Sequence, residues 1–151
     1  MAAATLRGMN SMTDRYFVDT NVLVYARDAA FPDKQRRAHE VLDRLWRERS
    51  GRLSVQVCGE YYVTVTRKLK PGLDPESAWS DLEALHAWEP SALDFKTLQK
   101  AHEIGLRYGL AWWDSLIVAS AFFAECTQIL SEDLSVGQEY LGLRIVNPFQ
   151  S

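Results

Sequence analysis

Leu116 to Ala124 reads LIVASAFFA, a charge-free stretch in an otherwise mixed chain. Read as a helix, it is apolar almost all the way round. Such a helix has to be buried on most sides. It therefore needs other elements packed around it, and the rest of the chain must supply them. Asp114 opens this helix, which is expected to end near Glu125.

The remaining chain alternates short strand-like runs with helical ones. Tyr16–Val18, Leu53–Val55, Trp88–Pro90, Gln128–Leu130 and Arg144–Val146 are the expected strands. A helix is expected to begin over Val22–Ala26. Another runs from about Asp33 to Arg49, where Ala38, Val41, Leu42, Leu45 and Trp46 recur at helical spacing. Ser50-Gly51 is expected to end it. Residues 56–70 read as a third helix. Asp74-Pro75 starts a fourth, with the acid as cap and proline in the first turn. Asp94 caps a fifth, which Gly109 ends near Tyr108. Strands separated by helices imply an α/β fold: a mostly parallel sheet with helices on both faces. Ligands in such folds bind at the carboxyl ends of the strands, where strand order reverses.

Four acids fall at strand ends or on helices that this edge would gather. Asp19 follows the first strand directly, and Asp133 follows Gln128–Leu130 within three residues. Asp114 heads the buried helix. Glu60 is the only acid between Arg52 and Gly72, and charged side chains seldom sit unpaired in such surroundings. Each has a plainer explanation. Asp19 and Asp114 suit helix N-caps, Asp133 suits a turn, and Glu60 suits a solvated helix face. Glu132 competes with Asp133. Taken together, four close carboxylates raise one another's pKa, and a divalent cation removes that conflict. An oxygen-only donor set without His or Cys suits Mg2+ or Mn2+.

At these residues the sequence resembles the PIN-domain family of ribonucleases, and within it the toxin component of VapBC-type toxin–antitoxin pairs. The likeness is carried by Phe17-Val18-Asp19-Thr20-Asn21-Val22-Leu23-Val24-Tyr25-Ala26, the Glu60 segment, Trp113-Asp114-Ser115-Leu116-Ile117-Val118-Ala119 and Leu130-Ser131-Glu132-Asp133-Leu134. It spans residues 16–149. The resemblance implies a Rossmann-like fold with a five-stranded sheet. It implies a catalytic metal site of Asp19, Glu60, Asp114 and Asp133, with Asn21 orienting the first aspartate and Ser131 supporting the last acid. It also implies Mg2+ or Mn2+, an RNA substrate, a cognate antitoxin and a homodimer.

The net charge of −3 argues mildly against broad nucleic-acid binding. If four acids hold metal, however, the remainder of the chain is slightly positive. Lys34, Arg36 and Arg37, or Arg67, Lys68 and Lys70, are candidate backbone contacts. Trp112 or Tyr62 could stack on bases. Cys58 and Cys126, the only cysteines, sit among apolar neighbours and read as buried thiols. Residues 1–13 read as a disordered tail with no signal-peptide core, and 14–151 as one domain. No stretch approaches the roughly 20 apolar residues of a membrane span, so the cytoplasm is the expected location. The absence of GxxxxGK[ST] and GxGxxG motifs argues against a nucleotide phosphotransferase and a nicotinamide enzyme. A non-catalytic PIN-like interaction module remains the rival to the nuclease.

Overall fold

A computed structural model describes residues 14–150; the expected N-terminal tail, residues 1–13, lies outside them. The elements in order are β1 (Tyr16–Val18), α1 (Thr20–Tyr25), α2 (Pro32–Glu48), β2 (Gly51–Arg52), α3 (Val55–Arg67), α4 (Pro75–Leu85), a 3-10 turn (His86–Trp88), α5 (Phe95–Tyr108), α6 (Trp112–Phe123), β3 (Gln128–Leu130), β4 (Glu139–Tyr140) and β5 (Leu143–Val146). The strands form one sheet in the order β2-β1-β3-β5-β4. All pairs are parallel except β4 with β5. The architecture is therefore the expected mostly parallel α/β sheet, with helices covering both faces.

Burial follows the apolar pattern. Ser115 to Ala121 of α6 are all buried, as the charge-free stretch requires. The helix lies against α5 and touches β3 and β5. Phe17, Ile129 and Ile145, on three neighbouring strands, are each at most 1% exposed and form the centre of the core. Among the described residues, no helix is long and apolar enough to cross a membrane. Cys58 and Cys126 are free and partly buried.

Caps set most boundaries where the sequence put them. Asp74 accepts from Ser77 N and Asp94 from Thr97 N, each at 3.1 Å, and Gly109 ends α5 in the left-handed region. Four expectations are corrected. The second strand is Gly51–Arg52, not Leu53–Val55, because the Ser54 hydroxyl accepts from Val57 N and draws Val55 into α3. Helix α2 ends where expected, but the stop is Arg49 itself, left-handed at φ 56°, and not Ser50-Gly51, since Gly51 belongs to β2. Trp88–Pro90 is not a strand. Trp88 closes the 3-10 turn and Glu89 turns left-handed, leaving only a bridge between Ser91 and Ser54. The strand not expected is β4, Glu139–Tyr140, which pairs antiparallel with β5 through Leu141 and Gly142, both at positive φ. Two successive positive-φ residues make the tight turn such hairpins favour. The Tyr108 hydroxyl accepts from Leu141 N at 3.2 Å and holds a residue with little intrinsic liking for that conformation.

Gly51 is required by space. A Cβ there would lie 2.6 Å from Cζ2 of buried Trp88, whose ring is also packed on Trp46. Gly51→Ala should therefore destabilise the fold by about 1–3 kcal/mol, the usual range for overpacking. Urea unfolding measures this, and an unchanged midpoint would contradict the packing described.

Candidate functional site

The chain leaves β1 for β2 in one direction and later returns to place β3 on the other side of β1. The carboxyl ends of β1 and β3 thus border the place where strand order reverses, which in open parallel sheets opens a crevice. Asp19 stands at the end of β1, and its N–H donates to Leu130 O of β3 at 3.0 Å. Ser131, Glu132 and Asp133 follow β3. Asp19, Glu132 and Asp133 line a groove of about 560 Å3 together with Glu60 of α3 and Asp114 of α6, with Ser131 buried beneath. The four acids of the sequence reading thus come from four separate segments to one groove.

Asp19 is fixed most firmly. It caps α1, with Oδ1 accepting from Thr20 N at 2.8 Å. Its Oδ2 accepts from Ser131 Oγ at 2.7 Å and from Asn21 Nδ2 at 3.4 Å. Ser131 is fully buried, and its oxygen also accepts from Asp133 N and Leu134 N at 3.1 and 3.2 Å. Its hydroxyl hydrogen is therefore committed to Asp19, and its lone pairs to those two amides and, at 3.4 Å, to Asn21 Nδ2. Asn21 Nδ2 donates to Asp133 Oδ2 at 3.2 Å, while Asn21 Oδ1 accepts from Glu132 N at 3.0 Å. Asn21 thus touches both the first and last acids. Ser131 supports the first acid by its side chain and the last only through that residue's backbone.

The other two acids are held more loosely. Glu60 accepts from Thr20 Oγ1 at 2.8 Å and from Gln56 Nε2 at 3.4 Å. Thr20 is an addition to the expected site, and its signal in the sequence is a hydroxyl directly after a strand-end acid. Asp114 is the third residue of α6, whose cap position is Ala111, so helix capping does not explain it. Among the described residues it has no hydrogen-bond partner.

The electrostatics are those of uncompensated acids. Burial pushes the Asp19 carboxyl from an ordinary 3.8 up to about 6, against the hydrogen bonds from Ser131 and Thr20. The charges of Glu60 and Asp133 add to the rise. Asp114 is raised by burial and then by Asp133 and Glu60. Among the described residues Lys68 is the one basic residue that lines the groove directly, and Lys34 stands at its wall paired with Glu132. Among the described residues, no three acids close into a compact ligand cluster. Their donor chemistry nevertheless fits a hard divalent cation: oxygen donors only, excess negative charge, and neither His nor Cys on the walls. The acids line the groove as an open set.

Glu132 lines the same groove but has other partners. It pairs with Lys34 and accepts from the Tyr25 hydroxyl at 2.9 Å. That leaves Asp133 the freer of the two. Lys34 is thereby committed too, lying 4.7 Å from the Tyr25 ring centroid. Arg36 pairs with Asp33 and Glu40, and Arg37 donates to Gln150 O. Of the candidate cations Lys68 lines the groove directly and Lys34 meets it through Glu132, and among the described residues neither candidate aromatic, Trp112 or Tyr62, lines it. Trp113 and Phe31 line it instead.

The PIN domain family model matches residues 16–136. No curated protein matches the chain. Among solved structures, a toxin–antitoxin complex from Klebsiella pneumoniae is similar at 15% identity and a TM-score of 0.65, covering 88% of this chain and 97% of that one. FitAB bound to the IR36 DNA fragment is similar at 20% identity and 0.67, covering 90% and 96%. VapC20 of Mycobacterium tuberculosis, a sarcin-ricin loop cleaving toxin, is similar at 18% identity and 0.61, covering 85% and 98%. At these identities the likeness to each is one of fold.

The raised Asp19 pKa has a definite sign in stability. Between about pH 4 and 6 the folded chain holds a proton that the unfolded chain has released. Stability therefore falls as pH rises through that window, and the full cost stands above it. Asp19→Asn, measured by urea unfolding without divalent ions, should be more stable than the parent at pH 7.5 by about 1–3 kcal/mol. The gain should fade as the pH drops towards 4. A less stable variant at pH 7.5 would contradict the electrostatics given above.

Proposed function

The chain belongs to the PIN domain family, and on that premise we propose that it is a metal-dependent ribonuclease, the toxin of a toxin–antitoxin pair. The observation that carries this reading is the convergence of Asp19, Glu60, Asp114 and Asp133 on one groove at the carboxyl edge of the sheet. Asp19, Glu60, Asp114 and Asp133 would hold Mg2+ or Mn2+. Such an ion, when bound, makes a water more acidic and neutralises charge on a phosphodiester.

The protein's own part is positioning. Ser131 and Asn21 lock the Asp19 carboxylate, and Asn21 ties Asp133 to it. Thr20 and Gln56 hold Glu60. These bonds fix oxygen donors before substrate arrives, which lowers the reorganisation needed in the transition state. Ser131 is excluded as a covalent nucleophile, because its buried hydroxyl is fully engaged. Hydrolysis proceeds by direct attack of water on phosphorus, in line with the leaving oxygen. Partnership with an antitoxin is supported by the Klebsiella pneumoniae toxin–antitoxin complex that shares the fold. Homodimerisation and a cytoplasmic site of action belong to the same proposal.

The test is cleavage of total RNA by purified protein in Mg2+ or Mn2+. Asp19→Ala and Asp114→Ala should each lower the rate by at least about 100-fold, as loss of charge-stabilising groups does. Asn21→Ala and Ser131→Ala, which remove orienting bonds, should cost about 10- to 100-fold. Chelation should abolish cleavage, and induced expression should arrest growth unless Asp19 is replaced. Wild-type cleavage by either acid variant would overturn the site. A wild-type protein that cuts no RNA in either metal would instead support the non-catalytic interaction module.

A further inference from the structure

A second charged cavity lies at the other end of the sheet. Arg15 stands just before β1, Arg52 ends β2, and Ser120 lies in the last part of α6, shortly before β3. With Lys96 of α5 they line a cavity of about 300 Å3 at the amino edge, away from the four acids. Both guanidinium groups are half-buried, and each is tethered by Nη1 alone. Arg15 Nη1 donates to Ala124 O at 3.1 Å, and Arg52 Nη1 donates to Gly51 O at 2.7 Å and Arg49 O at 3.3 Å. Among the described residues, Nε and Nη2 of each are uncommitted and neither arginine is in an ion pair. Both positive charges pull the Cys126 thiol pKa down against its burial, so the two converge on one neighbourhood. Like charges gathered in a half-buried place disfavour each other.

Ser120 is an independent sign of a ligand. It is 1% exposed and lines this cavity, yet its hydroxyl has no hydrogen-bond partner among the described residues. A buried hydroxyl left unpaired is costly, and native proteins carry few of them. Two acids, Glu89 and Asp94, also line the cavity, and both are exposed. Asp94 is spent capping α5 through Thr97, and the charge of Lys96 acts on it. Lys96 and Asp94 thus answer each other. That leaves two half-buried guanidinium groups facing Glu89 alone, which forms no ion pair among the described residues. Residues 1–13, the segment that leads to this edge, contain no acid to answer them.

We propose that this cavity binds the phosphate group of a small ligand, held by Arg15 and Arg52 with the Ser120 hydroxyl as a further donor. Guanidinium forks match phosphate oxygens two at a time. A third donor beside the two forks suits a tetrahedral anion better than a planar carboxylate. The volume lies at the lower end of ligand pockets, roughly 300–1,000 Å3, so the occupant is inorganic phosphate or a small phosphate monoester such as a mononucleotide. The site is separate from the acidic groove and stands whether or not the chain is a nuclease.

The test is calorimetric titration of full-length protein with sodium phosphate at neutral pH. EDTA is present, so that no divalent ion carries phosphate to the acidic groove. One phosphate per chain should bind. Arg15→Gln and Arg52→Gln should each weaken it roughly 10- to 100-fold, as loss of a hydrogen bond to a charged group does. Ser120→Ala should weaken it roughly 2- to 10-fold. The same change should raise the melting temperature of the ligand-free protein, because it removes an unpaired buried group; a merely structural hydroxyl would lower it. Lys68→Gln, at the far end of the sheet, should bind phosphate as the parent does. Adenosine 5′-monophosphate separates the sources: tighter binding than phosphate marks a nucleotide site, weaker binding a site for the free anion, and either upholds the proposal. No phosphate binding at millimolar concentration, acetate bound as tightly as phosphate, or unchanged affinity in both arginine variants would each overturn it. Ser120→Ala keeps the test intact if the arginine variants fail to fold, and unchanged affinity there would overturn it too.

Discussion

Asp19 is a carboxylate held where the ends of two parallel strands meet, and its bond from Ser131 is what makes that placement tolerable. A charge at a strand end borders the core on one side and the groove on the other. Burial drives its pKa up, while Ser131 and Thr20 pull it back. The same serine collects Asp133 N and Leu134 N, so the turn after β3 is wound around the oxygen that faces Asp19. Remove that oxygen and Asp19, Asn21, Asp133 N and Leu134 N each lose a hydrogen bond at once. The geometry of the groove floor therefore depends on one hydroxyl with no spare hydrogen-bonding capacity.

The other acids inherit their positions from this clamp at one remove. Asn21 spans Asp19 and Asp133 and also takes Glu132 N, which turns the Glu132 side chain towards Lys34 and Tyr25. Two adjacent acids are thereby sorted, one to an ion pair and the other to the groove. Asp114 is placed differently, by the rigid burial of α6 behind it, and its freedom from local bonds matches that independence. Local hydrogen bonding thus governs one part of the site and long-range packing the other.

Much of this was legible in the sequence because it is written in local chemistry. Asp74-Pro75, Asp94 and Gly109 mark helix ends by caps that act within a few residues, and they fell where expected. The charge-free stretch after Asp114 announced its own burial. What was not legible depended on distant partners. Nothing near Gly51 reveals that Trp88 will lie over it, so the glycine looked like a helix stop. Nothing near Leu141 reveals the Tyr108 hydroxyl that supports its backbone, so the last hairpin was missed. The choice between Trp112 and Trp113 turned on the phase of α6, which two adjacent tryptophans do not disclose. The groove that gathers the four acids follows from strand order, and strand order is set by crossovers too long to be read from local spacing. The likeness of its four motifs to a known family supplied that link.

The sheet is bounded on both sides by its shortest strands. β2 and β4 are two residues each, and the latter runs antiparallel to its one neighbour, β5. An edge so brief offers too few free amides and carbonyls to template another chain, which is one way native sheets avoid polymerising. It also closes a route of recognition. A protein that associates with this one has little to gain by adding a strand at either edge. The molecule can carry an open, highly charged crevice at one end of its sheet without its flanks becoming sticky.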